Sequence, residues 1–190
     1  MTPLDASLFR PREGGPSFPL RHRLFRLVWG IAWMSLGIWT PVPMHGWRRM
    51  LLRAFGARIH PTARIYPGAR IWYPPNLSMD RHACLGPRVI CYCMDRIEIG
   101  AHAVVSQGAH LCGGTHAVDD PHFQLVAKPI VIGRDAWIAA EAFVGPGVAV
   151  GEGAVLGARG VAFSNLAPMT VYAGNPARRL RARQFRRALP

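Results

Sequence analysis

Apolar positions in the middle of the chain repeat every six residues. Aliphatic residues recur in three runs: Ile59, Ile65, Ile71 and Leu77; Ile99, Val105 and Leu111; Ile132, Ile138, Val144, Val150 and Leu156. A helix repeats about every 3.6 residues and a half-buried strand every second residue, so neither pattern fits. Six residues suit one short strand and one tight turn, and three such units close a triangular coil. The repeat predicts an all-β solenoid of about five parallel coils, stacked about 4.8 Å apart.

Small residues occupy two regular places in the repeat. Alanine stands four places after most of the aliphatic residues, as at Ala103 and Ala136, where we expect it to fill a crowded corner. Glycine often follows the aliphatic residue directly, as at Gly100 and Gly133. We expect these glycines to supply the backbone freedom that a tight turn requires.

The repeat divides the chain into three parts. Residues 1–57 form a basic and apolar segment that we expect to be helical, 58–172 the solenoid, and 173–190 a basic C-terminal tail that we expect to contain a helix. Within the solenoid, 77–98 look irregular and 117–131 form an inserted loop. A long excursion from a rigid scaffold is a favoured place for function.

Charge and cysteine content limit the binding partners and the cellular compartment that we expect for this chain. The formal net charge is +13, with the excess arginine near both ends and 97–172 close to neutral. These arginine-rich ends could bind nucleic acid, an anionic membrane surface or a phosphate-bearing ligand, or they could simply be solvated surface. The four cysteines form no CxxC pair. We therefore expect reduced thiols in a cytoplasmic protein, with peripheral contact to the inner face of the cell membrane left open.

The apolar part of the N-terminal segment, Leu27–Trp39, is too short to span a bilayer comfortably. Arginines precede and follow it, and its tryptophans suit a membrane interface. Packing of this helix on the rest of the protein is the equally weighted alternative. Any membrane contact would run through residues 21–53.

One histidine, His116, stands where the repeat stops. It follows Gly113 and Gly114, closes a coil and opens the inserted loop. A neutral imidazole can take a proton from a hydroxyl, and a positioned base of this kind contributes about 10²–10⁴ in rate. This position makes His116 the candidate general base.

These features, taken together, carry a family resemblance. The stretches that match are Trp47-Arg48, Leu51–Ala57, Val105–Gln107, His116, Asp120–Phe123, Pro129–Gly133, Trp137–Ala139 and Gly174–Ala177. After about residue 17 the chain resembles the hexapeptide-repeat acyltransferases, and within them the colanic-acid-type exopolysaccharide O-acetyltransferases. The resemblance implies a left-handed parallel β-helix, acetyl-CoA as co-substrate, and a homotrimer with active sites between subunits. It implies neither a required metal nor a nucleic-acid partner.

The resemblance also implies which residues contact the donor. Trp137 and Ala140 would border the thioester, two small residues would offer backbone contacts, and two arginines would meet the CoA phosphates. The cofactor-binding candidates are Trp137, Ala140, Ala158, Gly160, Arg178 and Arg181.

Two departures from the family concern the acceptor. Ala117 follows His116 where relatives often carry Asp, and 84–92 lack the Asn that binds small-sugar acceptors in relatives. The candidate acceptor contacts are the polar residues Asp95, Asp119, Asp120 and His122.

The resulting hypothesis is an acetyltransferase of exopolysaccharide biosynthesis that acts on a sugar hydroxyl, free or lipid-linked, with His116 as base. N-acetylation of a nucleotide-linked amino sugar is one alternative. A non-catalytic scaffold that binds polyanions is another. A zinc lyase of the carbonic-anhydrase β-helix type would need three converging histidines, and the spacing of His110 and His116 does not supply them.

Overall fold

Short strands alternate with tight turns along most of the chain in the computed structural model, which describes residues 3–185. The helices are α1 (Ala6–Phe9), α2 (Leu20–Leu36) and α3 (His45–Ala54), with 3₁₀ turns at Pro11–Glu13 and Pro74–Asn76. The strands are β1 (Arg58–Ile59), β2 (Arg64–Ile65), β3 (Arg70–Ile71), β4 (Leu77–Met79), β5 (Cys84–Leu85), β6 (Ile90–Tyr92), β7 (Ile97–Ile99), β8 (Val104–Val105), β9 (His110–Cys112), β10 (Gly114–His116), β11 (Leu125–Ala127), β12 (Ile130–Ile132), β13 (Trp137–Ile138), β14 (Phe143–Val144), β15 (Ala149–Val150), β16 (Val155–Leu156), β17 (Val161–Ala162), β18 (Thr170–Ala173) and β19 (Arg178–Ala182).

Three parallel sheets form the sides of a triangular prism. The first sheet has the order β1-β4-β7-β12-β15, the second begins with β2-β5-β8-β13-β16-β18, and the third is β3-β6-β9-β14-β17. Each coil contributes one strand to every sheet, which gives five complete coils and part of a sixth. The protein is a left-handed parallel β-helix, as predicted.

The six-residue repeat builds the core of the prism. Along a strand, side chains point alternately to opposite faces, so Arg64 lies outside while Ile65 is fully buried. The aliphatic ladders and the alanines at the corners, such as Ala103 and Ala136, are almost completely buried. The predicted inward aliphatic residues and crowded corners are both confirmed.

The glycines that follow the aliphatic residues serve a different purpose from the one predicted. The left-handed backbone conformation falls just before the corner alanine, and ordinary residues such as His102 and Glu141 adopt it there, with φ of 60° and 58°. Gly100 and Gly133 do not adopt it. A Cβ on Gly133 would lie 2.7 Å from the backbone nitrogen of Glu152 in the next coil. These glycines therefore permit close stacking of coils.

Residues 77–98, predicted to be irregular, form a complete coil from β4, β5 and β6. Met79, Leu85 and Cys91 fill the inward positions and are buried. Strand pairing places Met79 20 residues after Ile59. The corner between the third and first sheets is two residues longer here than in a regular coil, and this shift hid the repeat.

Helix α2 packs one face against the third sheet. The buried indoles of Trp29 and Trp33 donate hydrogen bonds to the carbonyl oxygens of Ile71 and Ala69, at 2.7 and 2.8 Å. This contact confirms the packing alternative for that face, while the opposite face carries exposed apolar side chains. Within residues 3–185, no helix is both long and apolar enough to cross a membrane.

Helix α3 is tied to the first coil by a buried arginine. Arg48 is fully buried, and its guanidinium donates hydrogen bonds to the carbonyl oxygens of Ile65, Thr40, Pro41 and Val42, at 2.7 to 3.1 Å. Burial lowers the pKa of this side chain. The carbonyl oxygens replace the lost solvent as hydrogen-bond acceptors, so the charge is buried with no carboxylate partner among the described residues.

The predicted C-terminal helix is wrong for the part of the tail that the structure describes. After Gly174 the chain reverses, and β19 pairs antiparallel with β18. The reason is physical: β18 ends the second sheet, and its unpaired backbone groups are satisfied by another strand. Residues 186–190 of the predicted tail, like residues 1–2, lie outside the described residues.

Candidate active site

The inserted loop predicted at 117–131 is largely an antiparallel hairpin. Strand β10 pairs with β11, and His116 stands opposite Leu125 at the end of this ladder. The hairpin projects from the corner between the third and first sheets. His116 is therefore held by a hydrogen-bonded element rather than by a free loop.

Phe123 fixes the imidazole of His116 in two ways. The two rings stack with centroids 4.2 Å apart and planes 12° from parallel. The Nδ1 atom of His116 also lies 2.9 Å from the carbonyl oxygen of Phe123. Since a carbonyl oxygen only accepts, Nδ1 carries a proton, and in the neutral form of the imidazole Nε2 then keeps its lone pair. The side chain is exposed, so in that neutral form it can present Nε2 as a proton acceptor to solvent or substrate.

The N-terminal arm supports the hairpin. The Gln124 side chain accepts a hydrogen bond from the Ala6 amide at 2.6 Å and donates one to the Leu4 carbonyl at 3.0 Å. Arg12 donates to the carbonyl oxygen of Pro121 at 3.0 Å. Sequence reasoning missed this support because no local pattern links residues more than a hundred positions apart.

A cavity of about 720 Å³ lies beside His116, between the hairpin and α2. Trp72 and Tyr92 form part of its wall, and Arg23 and Arg26 line it. The Arg26 guanidinium lies 4.2 Å over the Trp72 ring. Burial raises the pKa of the Tyr92 phenol, with Arg26 offsetting part of the effect. Sequence reasoning did not assign any of these four residues to the site.

The residues predicted near the thioester lie away from His116, Trp137 on the second sheet and Ala140 at the corner that follows it. Trp137 projects from the second sheet, 45% exposed, and its indole donates to the Ser106 hydroxyl at 2.9 Å. Ala140 follows β13 and Ala158 follows β16. Because these two strands pair in register, the two alanines occupy corresponding positions in adjacent coils. The amide and carbonyl of Gly160 are already paired within the solenoid, at 2.9 and 2.8 Å.

Arg178 and Arg181 lie on β19, at the end of the same second sheet, and both are exposed. Strands β16 and β18 separate them from Trp137. The predicted donor residues thus lie on the second sheet and at the corner that follows it, with the arginines at the far end of that sheet.

A single chain does not bring His116 and Trp137 together. His116 faces the cavity beside α2, while Trp137 lines a separate cavity of about 360 Å³ with Arg183 and Phe185. The candidate base His116 and the candidate donor residue Trp137 therefore lie on different sides of the prism.

The predicted acceptor contacts are dispersed. Both carboxylate oxygens of Asp120 accept backbone hydrogen bonds, from His122 and Gln124 at 2.9 and 3.3 Å, so this side chain shapes the hairpin tip. Asp119 and His122 are exposed on the same tip. Asp95 accepts a hydrogen bond from the Arg96 amide at 2.7 Å. None of the four lines the His116 cavity.

Metal-ligating side chains do not converge in the part of the chain that the structure describes. Residues 3–185 contain no group of three or more His, Cys, Asp or Glu side chains placed to hold a metal ion. Burial lowers the pKa of His110, whose Nε2 has no hydrogen-bond partner.

The triangular prism, with a histidine held on a hairpin at its corner, is the architecture of a hexapeptide-repeat acetyltransferase. Solved structures agree on the fold. The acetyltransferase VCA0836 from Vibrio cholerae in complex with acetyl-CoA is 23% identical, with a TM-score of 0.78, covering 87% of this chain and 91% of that chain. The galactoside acetyltransferase in complex with coenzyme A is 20% identical, with a TM-score of 0.75, covering 94% and 91%.

Sequence comparison gives the family. WcaF of Escherichia coli strain K12, described by its name as a colanic acid biosynthesis acetyltransferase, is 41% identical over 156 residues, which are 82% of this chain and 86% of the relative. No family model matches the chain. The chain belongs to the WcaF family of acetyltransferases, and the predicted family and enzyme class are confirmed. Membership in a family of acetyltransferases argues against the zinc lyase and the non-catalytic scaffold.

Proposed function

We propose that the protein transfers an acetyl group from acetyl-CoA to a sugar hydroxyl during exopolysaccharide biosynthesis, with His116 as general base. The observation that carries this proposal is the hydrogen bond from Nδ1 of His116 to the Phe123 carbonyl, which makes Nε2 the proton acceptor of the neutral imidazole. The name of the WcaF relative supports the pathway, and the acetyl-CoA complex of VCA0836 supports the donor.

The proposed reaction needs one proton shuttle. Nε2 of His116 takes the proton of the acceptor hydroxyl as the oxygen attacks the thioester carbonyl carbon. The tetrahedral intermediate collapses with cleavage of the carbon–sulfur bond. The imidazolium then returns the proton to the departing thiolate, which yields the acetyl ester and CoA. The side chain of His116 ends in its starting state.

The proposed assembly is a homotrimer with three active sites between subunits. The positions of His116 and Trp137 on different sides of one prism support it, because a neighbouring subunit can bring its second sheet to the His116 corner. Trp137, Ala140 and Ala158 would then hold the pantetheine arm, and Arg178 and Arg181 the phosphates, since guanidinium groups suit phosphate oxygens. A closed ring of three identical contacts would complete every site.

The test is acetyl transfer by wild type and the His116→Ala variant, followed as CoA release with a panel of sugars and glycans. The substitution should lower kcat by about two orders of magnitude or more while acetyl-CoA affinity stays nearly unchanged. Because His116 is exposed, the variant should fold normally. Wild-type turnover in His116→Ala would refute the role of the base.

A further inference from the structure

The outward face of α2 carries a continuous apolar stripe. The opposite, buried face of the helix places Trp29 and Trp33 against the third sheet. At about 100° per residue, the outward apolar side chains fall within a stripe roughly 120° wide. Six large apolar residues form it, each more than half exposed: Leu20, Leu24, Leu27, Val28, Ile31 and Met34. Contiguous exposed apolar surface of this kind marks an interaction site.

The stripe continues beyond the end of α2. Trp39 is 69% exposed, and its indole nitrogen donates to the Ser35 carbonyl oxygen at 2.8 Å, so the polar atom is satisfied and the apolar ring faces outward. Val42 and Met44 in the following loop are also exposed. Tryptophan is enriched where hydrocarbon meets headgroups in membranes. We call these nine side chains, the six on α2 and the three that follow, the α2 surface.

The charge around the α2 surface is of one sign. Residues 14–79 contain nine arginines and no Asp, Glu or Lys. Arg21 and Arg23, both exposed, lie on opposite sides of the stripe in the first turn of the helix. An apolar stripe edged by arginine, in a segment with no acidic side chain to repel lipid phosphate, is complementary to an anionic bilayer.

We propose that the α2 surface is a docking site for an anionic phospholipid bilayer. The helix lies in the plane of the headgroups, with its stripe at the boundary of the acyl chains and its arginines at the lipid phosphates. This inference requires no assumption about the reaction at His116, and it extends the proposed function by giving the protein a surface on which it works.

Two other surfaces compare poorly with this arrangement. A second copy of the chain, in a twofold contact, would set two such faces and their arginines against each other, and residues 14–79 offer no carboxylate to pair with them. Strand β19 is also rich in arginine, but its single large apolar side chain is Leu180. It offers charge without a stripe.

Sedimentation of the full chain with phospholipid vesicles measures this docking. Vesicles of phosphatidylcholine with about 30% phosphatidylglycerol should bind the protein at least about tenfold more tightly than phosphatidylcholine alone, because only the former attract the arginines. High salt should weaken the binding. Ile31→Glu puts a charge in the stripe and should weaken it by about tenfold or more. Arg21→Gln should weaken it by about fivefold.

The matched controls lie on β19, at the end of the second sheet opposite β2. Leu180→Glu introduces the same charge at a leucine that is 64% exposed, against 55% for Ile31, and Arg179→Gln removes one arginine from that strand. Both variants should bind the vesicles within about twofold of wild type. All four positions are exposed, and unchanged melting temperatures would confirm that the variants fold.

Failure of the wild type to bind the anionic vesicles, or equal losses in Ile31→Glu and Leu180→Glu, would overturn the proposal. Light scattering without lipid should give Ile31→Glu the molar mass of the wild type. A smaller mass would assign the α2 surface to a second copy and would also overturn the proposal. Since His116→Ala should bind vesicles as wild type does, failure of the proposed base and failure of this docking site are distinguishable.

Discussion

Phe123 offers a graded test of how the protein positions its candidate base. The Phe123→Ala variant keeps the backbone carbonyl that accepts the Nδ1 hydrogen bond but removes the ring stacked 4.2 Å from His116. An aromatic pair of this kind contributes about 0.5–1.5 kcal/mol beyond its buried area. If that energy holds the imidazole in its reactive orientation, its loss lowers kcat by roughly two- to tenfold.

Steady-state kinetics at saturating acetyl-CoA would measure this effect. The loss should be far smaller than that in His116→Ala, and the KM for acetyl-CoA should not change. Phe163→Ala is the matched control, since Phe163 is an exposed aromatic residue on a distant coil. Unchanged turnover in Phe123→Ala would refute the positioning role. A loss as large as that in His116→Ala, at unchanged melting temperature, would refute the assignment of His116 as the base and of Phe123 as a residue that only orients it.

Three further predictions concern stability and donor binding. Burial lowers the pKa of His22 to about 4 from 6.5, so its contribution to the free energy of unfolding is complete above pH 6.5 and falls as pH drops towards 4. After solvent screening the loss is on the order of 2 kcal/mol, and urea unfolding of wild type and His22→Phe across this range would measure it. Gly133→Ala should destabilise the fold by about 2 kcal/mol, because its Cβ would clash with the next coil, and a melting temperature equal to wild type would contradict this. Arg178→Ala with Arg181→Ala should raise the KM for acetyl-CoA about tenfold, whereas Arg179→Ala, the control on the same strand, should not.

The solenoid could be predicted from sequence because its periodicity is local and strict. Ile99, Val105 and Leu111 are spaced by the coil itself, so the sequence pattern and the structure coincide. The coil at 77–98 was missed because two extra residues at one corner moved Met79 out of phase with Ile59. Once each corner is allowed to vary in length, the spacing of Met79, Leu85 and Cys91 is also six.

The features that the sequence did not predict depend on long-range contacts. The composition of the tail is typical of a helix. The backbone of the tail nevertheless forms more hydrogen bonds by pairing with the open edge of β18 than it would as a short isolated helix. His116 was identified from its place in the repeat. Its partner Phe123 and the cavity wall formed by Trp72 and Arg26 depend on how the hairpin and α2 fold back onto the third sheet. No short pattern in the sequence records that arrangement.

The central claim is that His116 of one subunit acts on a thioester held by its neighbour. Co-expression of two differently tagged inactive variants, His116→Ala and Ala158→Trp, tests it, because the second substitution fills the proposed donor groove at an exposed position. In a ring of three, every trimer that contains both variants has a single interface that combines an intact base with an intact groove, so about a third of its intersubunit sites would be intact. Mixed trimers purified through both tags should recover activity on that scale. Activity no higher than that of either parent variant in those mixed trimers would contradict the account.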